Sequence, residues 1–179
     1  MSLYRQLQQR AADNRPVRVA LIGAGKFGSM YLAQVPRTPG VHLIGIADLS
    51  PDGARANLQR VGWSAERTTA ASLDEAVRLG NTHIGDDWQA LVRHPAVDVV
   101  VECTGHPVAA VDHCLQAFAH GKHVVNVTVE ADAFCGPLLA RRAQEAGVVY
   151  SLAYGDQPAL ICDLVGWART CGFPVVAAG

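Results

Sequence analysis

Three glycines follow an apolar run near the start of the chain, at Gly23, Gly25 and Gly28 in the stretch VALIGAGKFG. This G-x-G-x-x-G spacing lets a chain turn tightly out of a strand, brings backbone close to a bound group and allows the next helix to pack against the strand. Free N–H groups in the first turn of such a helix attract an anion such as a pyrophosphate. The spacing alone is common, so the elements around it decide its meaning.

An aspartate at a second fixed distance strengthens the interpretation. Asp48 ends the next apolar run, VHLIGIAD, 20 residues after Gly28. A carboxylate at this point accepts hydrogen bonds from the ribose hydroxyls of an adenosine. Its charge also repels a 2′-phosphate, which favours NAD over NADP. The alternative, in which Arg55, Arg60 or Lys26 folds over the ribose and admits the phosphate, stays open.

The elements that position these residues alternate along the chain. Strands are predicted at 17–22, 41–48, 97–103, 122–128 and 148–154, and helices at 3–13, 26–35, 51–61, 73–79, 86–93, 106–121, 137–147 and 158–170. The strand runs are continuously apolar, as in strands covered on both faces. Strand and helix in alternation, with right-handed crossovers, predict an α/β fold: a Rossmann-like doubly wound parallel sheet with helices on both faces.

The domain organisation follows from the same pattern. Residues 1–154 are expected to form one NAD(P)-binding domain, a size that 179 residues with 50% hydrophobic content can support. Residues 155–179 are expected to be a connecting helix and the first strand of a truncated substrate-binding or catalytic region. The stretch 62–85 gives no clear pattern beyond a capping box at Ser72 and Glu75.

Composition excludes several classes of partner. A net charge of −1 and a pI near 6.6 give no footprint for nucleic acid or an anionic membrane. No run approaches the roughly 20 apolar residues needed to span a bilayer, so a soluble, cytoplasmic protein is expected. The five cysteines lack metal-ligand spacing. They are interpreted as reduced, four of them as small buried side chains, and no metal site is predicted.

A second group of polar residues is predicted at the carboxyl edge of the sheet. The strand 97–103 is followed by Thr104, Gly105 and His106, and Gly105 suggests close approach of backbone to the nicotinamide end of a cofactor. His106 is the one candidate for a catalytic acid, with helix capping as the equally weighted alternative. Cys103 is interpreted as a packing residue, although a Cys–His acyl-transfer site with His106 is also considered.

The next two strands deliver further polar side chains to the same edge. They are Glu130, Asp132, Asp156 and Gln157. Carboxylates and an amide there could orient the hydroxyls or the amine of a small-molecule substrate. Turn formation and helix capping are the competing explanation.

Four segments together carry a family resemblance: GAGKFG, VVVECTG, VVNVTVEAD and GDQPALICDLVGWART. They resemble the N-terminal dinucleotide-binding part of homoserine dehydrogenase-like NAD(P)-dependent oxidoreductases, and more narrowly the branch that includes reductoisomerase-like enzymes acting on sugar phosphates. The resemblance implies hydride transfer between nicotinamide and a carbonyl or hydroxyl substrate. It also assigns residues to the parts of the cofactor. The pyrophosphate is assigned to Gly23, Gly25, Lys26, Phe27 and Gly28, the adenosine ribose to Asp48, and the nicotinamide side to Thr104, Gly105 and His106.

Two departures limit what the resemblance carries over. The family's G-x-P turn after the last strand corresponds here to Gly155-Asp156-Gln157-Pro158, which puts homoserine in doubt as the substrate. The family's catalytic lysine lies after the dinucleotide domain, and neither Lys26 nor Lys122 matches it. No catalytic residue is therefore assigned, and the chain alone is expected to bind cofactor without turnover. A non-catalytic dinucleotide sensor is the alternative, and the existence of a homo-oligomer is left open.

Overall fold

One parallel sheet organises the molecule. The computed structural model describes residues 2–154 and 157–178. Within them six parallel strands are ordered β3-β2-β1-β4-β5-β6. The strands are β1 (Val17–Ile22), β2 (Val41–Ala47), β3 (His83–Gly85), β4 (Val99–Glu102), β5 (His123–Asn126) and β6 (Tyr150–Leu152). The direction in which the chain builds the sheet reverses between β1 and β4, which is where ligands bind in sheets of this topology.

Eight α-helices accompany the strands in the described residues. They are α1 (Leu3–Ala12), α2 (Lys26–Gln34), α3 (Pro51–Arg60), α4 (Leu73–Leu79), α5 (Trp88–Arg93), α6 (Pro107–Ala119), α7 (Val129–Glu145) and α8 (Gln157–Thr170). Two short 3-10 helices lie at Val35–Arg37 and Ala65–Thr68. None of the helices described is long and apolar enough to cross a bilayer.

The core lies on both faces of the sheet. Along β1, Ala20 and Ile22 join one buried apolar cluster, whereas Val19 and Leu21 join another. The first cluster includes Leu91 of α5, Phe118 of α6 and Leu139 of α7; the second includes Leu32 of α2 and Leu58 of α3. Because side chains of one strand alternate between two helical layers, the sheet is covered on both faces. The predicted doubly wound α/β fold is confirmed.

The structure differs from the sequence prediction in two elements. No periodic pattern predicts β3, which is only three residues long and lies at the edge of the sheet. The helix predicted at 137–147 begins instead at Val129, and a kink at Cys135 (φ −146°, ψ 25°) precedes Pro137. Proline is typical of the first turn of a helix, and here it begins only the second segment. Residues 173–178 are not in a strand, and the strand predicted there as the start of a further region stays a prediction.

The cysteines are all free in the structure. Cys114 and Cys103 are buried and Cys135 is half-buried, but Cys162 and Cys171 are exposed. The expectation that four of them pack inside is therefore wrong for the two on or after α8, whose apolar side chains Leu164 and Trp167 are also exposed. Residues 155 and 156 lie outside the described residues, and the predicted domain boundary at 154/155 stays a prediction.

Candidate functional site

The glycine turn after β1 is built around two close backbone approaches. Gly23 has φ +92°, and a Cβ there would lie 2.8 Å from the carbonyl carbon and oxygen of Cys103, at the end of β4. A Cβ on Gly28 would lie 2.6 Å from the carbonyl oxygen of Gly23. These two glycines therefore hold the turn against β4 and hold α2 against the turn.

Gly25 has a different environment. It precedes the first residue of α2 with φ −70°, and a Cβ added to it would meet nothing within 4 Å. Within the part of the chain that the structure describes, this N-terminus has no side-chain capping hydrogen bond, and Lys26 and Phe27 are exposed. Open space at an uncapped helix N-terminus is the environment that an anionic group requires.

Two side chains clamp the peptide groups of the turn. Asp48 Oδ2 accepts a hydrogen bond from the amide of Ala24 at 2.8 Å, and Asn57 Nδ2 of α3 donates to the carbonyl oxygen of Ala24 at 2.8 Å. Asp48 Oδ1 accepts from the amide of Ser50 at 2.9 Å. Each carboxylate oxygen keeps a second lone pair, so Asp48 can support the turn and still accept from a ribose. Sequence reasoning missed Asn57.

The arginines considered for a 2′-phosphate donate elsewhere. Arg55 Nη1 and Nη2 donate to the carbonyl oxygens of Thr68 at 3.3 Å and Ile84 at 3.5 Å. Arg60 Nη2 donates to Ser29 Oγ at 3.4 Å. These three contacts tie α3 to neighbouring elements.

The loop after β4 brings its predicted residues together. Gly105 has φ +69°, and its amide donates to Thr128 Oγ1 at 3.0 Å. His106 is the N-cap of α6, where Nδ1 accepts from the amide of Ala109 at 3.3 Å. A neutral His106 then carries its proton on Nε2. The helix-capping interpretation of His106 is thus observed, and the exposed ring leaves Nε2 as the only nitrogen that can donate to a ligand.

A buried carboxylate under this loop was missed by sequence reasoning. Glu102, the last residue of β4, is 0% exposed. Its Oε1 accepts from Thr104 Oγ1 at 2.6 Å and from His113 Nδ1 at 3.1 Å, and its Oε2 accepts from Thr128 Oγ1. A charged residue at the end of an otherwise apolar run was the signal that could have identified it, since buried carboxylates are kept only where they are hydrogen-bonded.

Cys103 is buried at the end of β4. Burial, with the charge of Glu102 adding to it, raises the pKa of the Cys103 thiol to about 12. The thiolate is the reactive form, and at neutral pH almost none is present. Cys103 packs in the core beside the glycine turn, which favours its interpretation as a packing residue over the Cys–His acyl-transfer alternative.

Among the residues predicted for the substrate side, Asp132 is held by a neighbouring phenol. Tyr150 Oη donates to Asp132 Oδ1 at 2.9 Å and accepts from Asn126 Nδ2 at 3.1 Å. Burial of the phenol raises the pKa of Tyr150, so it remains a donor. Glu130 is exposed with no recorded partner among the described contacts, Gln157 begins α8, and Asp156 lies outside the described residues.

Comparison with known families agrees with this geometry. A model of the homoserine dehydrogenase NAD-binding domain matches residues 23–152, from the first glycine of the turn to the end of β6. The chain belongs to this family.

Relatives of the NAD-binding domain are dehydrogenases and oxidoreductases. A 4-carboxy-2-hydroxymuconate-6-semialdehyde dehydrogenase from Sphingobium sp. (strain NBRC 103272 / SYK-6) is 25% identical over 134 residues, covering 74% of this chain and 36% of that protein. The homoserine dehydrogenase of Thiobacillus denitrificans is 23% identical with a TM-score of 0.61, covering 80% and 30%. GenD2 of gentamicin A biosynthesis, in complex with NAD, is 21% identical with a TM-score of 0.55, covering 86% and 40%.

The chain thus spans well under half the length of each of these proteins. The family match confirms the predicted NAD-binding domain of a homoserine dehydrogenase-like oxidoreductase. The narrower reductoisomerase-like branch stays a prediction.

Lys122 lies away from the glycine turn and the loop after β4. Lys122 Nζ donates to the carbonyl oxygens of His94 at 2.8 Å and Val97 at 2.9 Å, just before β5 and at the opposite edge of the sheet from the glycine turn. Burial lowers the pKa of Lys122. Its hydrogen bonds show a lysine that ties two loops together. Among the described residues, no group of three His, Cys, Asp or Glu side chains could hold a metal ion.

Proposed function

We propose that this domain binds NAD(H) at the carboxyl edge of the sheet and serves an oxidoreductase that transfers a hydride between nicotinamide and a carbonyl or hydroxyl substrate. The observation that carries the proposal is the open space at Gly25, at the uncapped start of α2 and beside the point where the sheet order reverses. Crevices at this point of parallel α/β sheets bind dinucleotides.

Each part of the cofactor has a group of residues suited to it. The turn Gly23–Gly28, with Lys26 and Phe27, would hold the pyrophosphate through N–H groups of α2. Asp48 would accept from the adenosine ribose, and Thr104, Gly105 and His106 would line the nicotinamide side. The bound cofactor would supply the hydride acceptor or donor, and the protein would orient it and exclude water.

NAD is the preferred cofactor in this proposal. Asp48 brings a negative charge to the end of β2, where a 2′-phosphate would be repelled, and Arg55 and Arg60 are hydrogen-bonded to other groups. Lys26 is exposed near the turn and is the remaining cation that could favour NADP.

The substrate side is proposed on the strands beyond β4. Asp132 is the best supported residue, because Tyr150 holds its carboxylate and Gly136 leaves room for it: a Cβ on Gly136 would lie 2.6 Å from Asp132 Oδ1. Glu130, Asp156 and Gln157 are weaker candidates, and His106 remains the one candidate acid. Residues 155–179 would lead into a region that completes the substrate site, in a cytoplasmic protein whose oligomeric state is open.

Cofactor binding tests the proposal directly. Titration of the chain with NADH, followed by nicotinamide fluorescence and by calorimetry, should give saturable one-to-one binding, with NADPH binding more weakly. Absence of binding to both would overturn the proposal.

A turnover assay tests whether this domain binds the cofactor without catalysing the reaction by itself. The chain with NAD or NADH should neither oxidise homoserine nor reduce a sugar-phosphate ketone, as followed by nicotinamide absorbance. Turnover abolished by His106→Ala would instead assign the catalytic acid to this domain.

A further inference from the structure

We propose that Glu102 and Thr128 are positioning residues that fix the loop Thr104–His106 for the nicotinamide half of the cofactor. The inference rests on the proposed function. Neither residue belongs to the glycine turn or to the loop itself, and each acts through hydrogen bonds to loop groups.

The hydrogen bonds of Thr128 have only one consistent direction. A carboxylate accepts and cannot donate, so the single proton of the Thr128 hydroxyl goes to Glu102 Oε2. The hydroxyl oxygen is then left to accept from the amide of Gly105 at 3.0 Å. Gly105 adopts φ +69°, so this contact holds a backbone conformation that few other residues adopt.

Thr104 repeats the arrangement on the other carboxylate oxygen. Its hydroxyl donates to Glu102 Oε1 at 2.6 Å and accepts from the amide of His106 at 3.3 Å. One buried carboxylate thus directs two hydroxyl groups, and these hold two successive amides of the loop, those of Gly105 and His106.

The anchor is fixed by the surrounding elements. Glu102 and Asn126 are paired across β4 and β5, and both are 0% exposed. Asn126 Oδ1 accepts from the amide of Thr128, and Asn126 Nδ2 donates to its carbonyl oxygen, each at 3.1 Å. From α6, His113 donates to Glu102 and packs edge-on against Trp88, with ring centroids 4.5 Å apart. The carboxylate therefore cannot move without disturbing β4, β5 and α6.

The position of the loop predicts which half of the cofactor depends on it. Asp48 follows β2 and the loop follows β4, on opposite sides of β1. The adenosine and the pyrophosphate would be held by Asp48 and the glycine turn, whose described hydrogen bonds do not involve Thr128. Loss of the anchor should then weaken binding of the nicotinamide half alone.

Comparison of two ligands tests this inference. NADH contains both halves of the cofactor, whereas ADP-ribose lacks the nicotinamide. Thr128→Val keeps the shape of the side chain and removes the hydroxyl, leaving the Gly105 amide without its partner. We expect affinity for NADH to fall about three- to tenfold, as for loss of one or two hydrogen bonds, and affinity for ADP-ribose to stay within about twofold. Glu102→Gln should behave alike, because an NH2 group replaces one carboxylate oxygen and cannot accept from the hydroxyl on that side.

Thr128→Ser is the matched control, since it keeps the hydroxyl and should bind NADH nearly as wild type does. Equal losses for NADH and ADP-ribose would mean general structural damage and would overturn the inference, as would an unchanged NADH affinity in Thr128→Val. If that variant fails to fold, Glu102→Gln decides by the same two measurements. Wild-type protein that binds neither ligand would contradict the proposed function instead.

Discussion

Gly28 lies so close to Gly23 that a Cβ on Gly28 would come within 2.6 Å of the Gly23 carbonyl oxygen. Alanine is favoured over glycine inside a helix by about 1 kcal/mol, but here the obstacle is a backbone atom that cannot rotate away. We expect Gly28→Ala to lower the free energy of unfolding by about 1–3 kcal/mol, and the melting temperature by about 3–10 °C, in a thermal denaturation experiment. Gly25→Ala, with empty space around the added atom, should unfold within about 2 °C of wild type. Equal losses in the two variants would contradict the packing described.

Gly25 tests cofactor binding rather than folding. Gly25→Val places a branched side chain where a pyrophosphate would contact backbone, so NADH affinity should fall more than tenfold, or by over about 1.4 kcal/mol. Calorimetry measures the change, and circular dichroism checks that the fold is intact. Unchanged NADH affinity would show that the pyrophosphate does not bind at the N-terminus of α2.

Asp48 supports the glycine turn and is proposed to face the ribose, and the next prediction separates these two roles. Asp48→Ser removes a charge that would face a 2′-phosphate, so the ratio of NADP affinity to NAD affinity should rise. Both affinities can fall together, because the variant also loses the acceptor for the Ala24 amide; the ratio is the informative quantity. Asp48→Asn, which keeps one oxygen acceptor, should raise the ratio with less loss of affinity. A wild-type preference for NADP would show that Asp48 does not face the ribose.

Thiol accessibility follows from burial. Cys162 and Cys171 are exposed, whereas burial raises the pKa of both Cys103 and Cys114 to about 12. At pH 8 we expect 5,5′-dithiobis(2-nitrobenzoate) to modify the two exposed thiols rapidly and the two buried ones only after denaturation. Rapid modification of the Cys103 thiol, identified by mass spectrometry of the labelled peptides, would contradict its burial.

The two buried thiols, Cys103 and Cys114, are expected to make the free energy of unfolding sensitive to alkaline pH. Their pKa rises from 9.0 in the unfolded reference to about 12 in the fold, so above pH 9 the folded state binds more protons than the unfolded state. Stability is thus fully present below about pH 9 and is lost as pH rises toward 12, by up to about 1.4 kcal/mol per pH unit for each thiol. Urea denaturation between pH 8 and 10.5 measures this slope. Cys114→Ala should reduce it and Cys162→Ala should not; identical slopes would contradict the prediction.

Local sequence determined the first half of the dinucleotide site. The strand β1, the glycine turn and α2 lie within 18 consecutive residues, and β2 with Asp48 follows at once. Strand or helix periodicity is a property of neighbouring residues, and the need for glycine at a tight turn is also local. For that reason the fold class and the residues 23–48 could be read from the chain alone.

Pairing between distant segments decided what the sequence did not show. His83 forms a strand because it pairs with Gly45 in β2. The three residues of β3 are too few to show a periodic pattern of their own. The first segment of α7 was hidden because Pro137 indicates a helix start more strongly than Val129 does, while Tyr150, from another element, holds Asp132 within that segment.

Burial and partners were likewise decided only by the tertiary structure. The residue types at Cys103 and His106 allowed a reactive pair. In the structure, burial raises the pKa of the Cys103 thiol, and Nδ1 of His106 caps α6. Glu102 and Thr128 are 26 residues apart, and the pairing of β4 with β5 brings them into contact. A buried carboxylate gains its role from the donors that surround it, and those donors come from separate strands and helices whose approach no local pattern encodes.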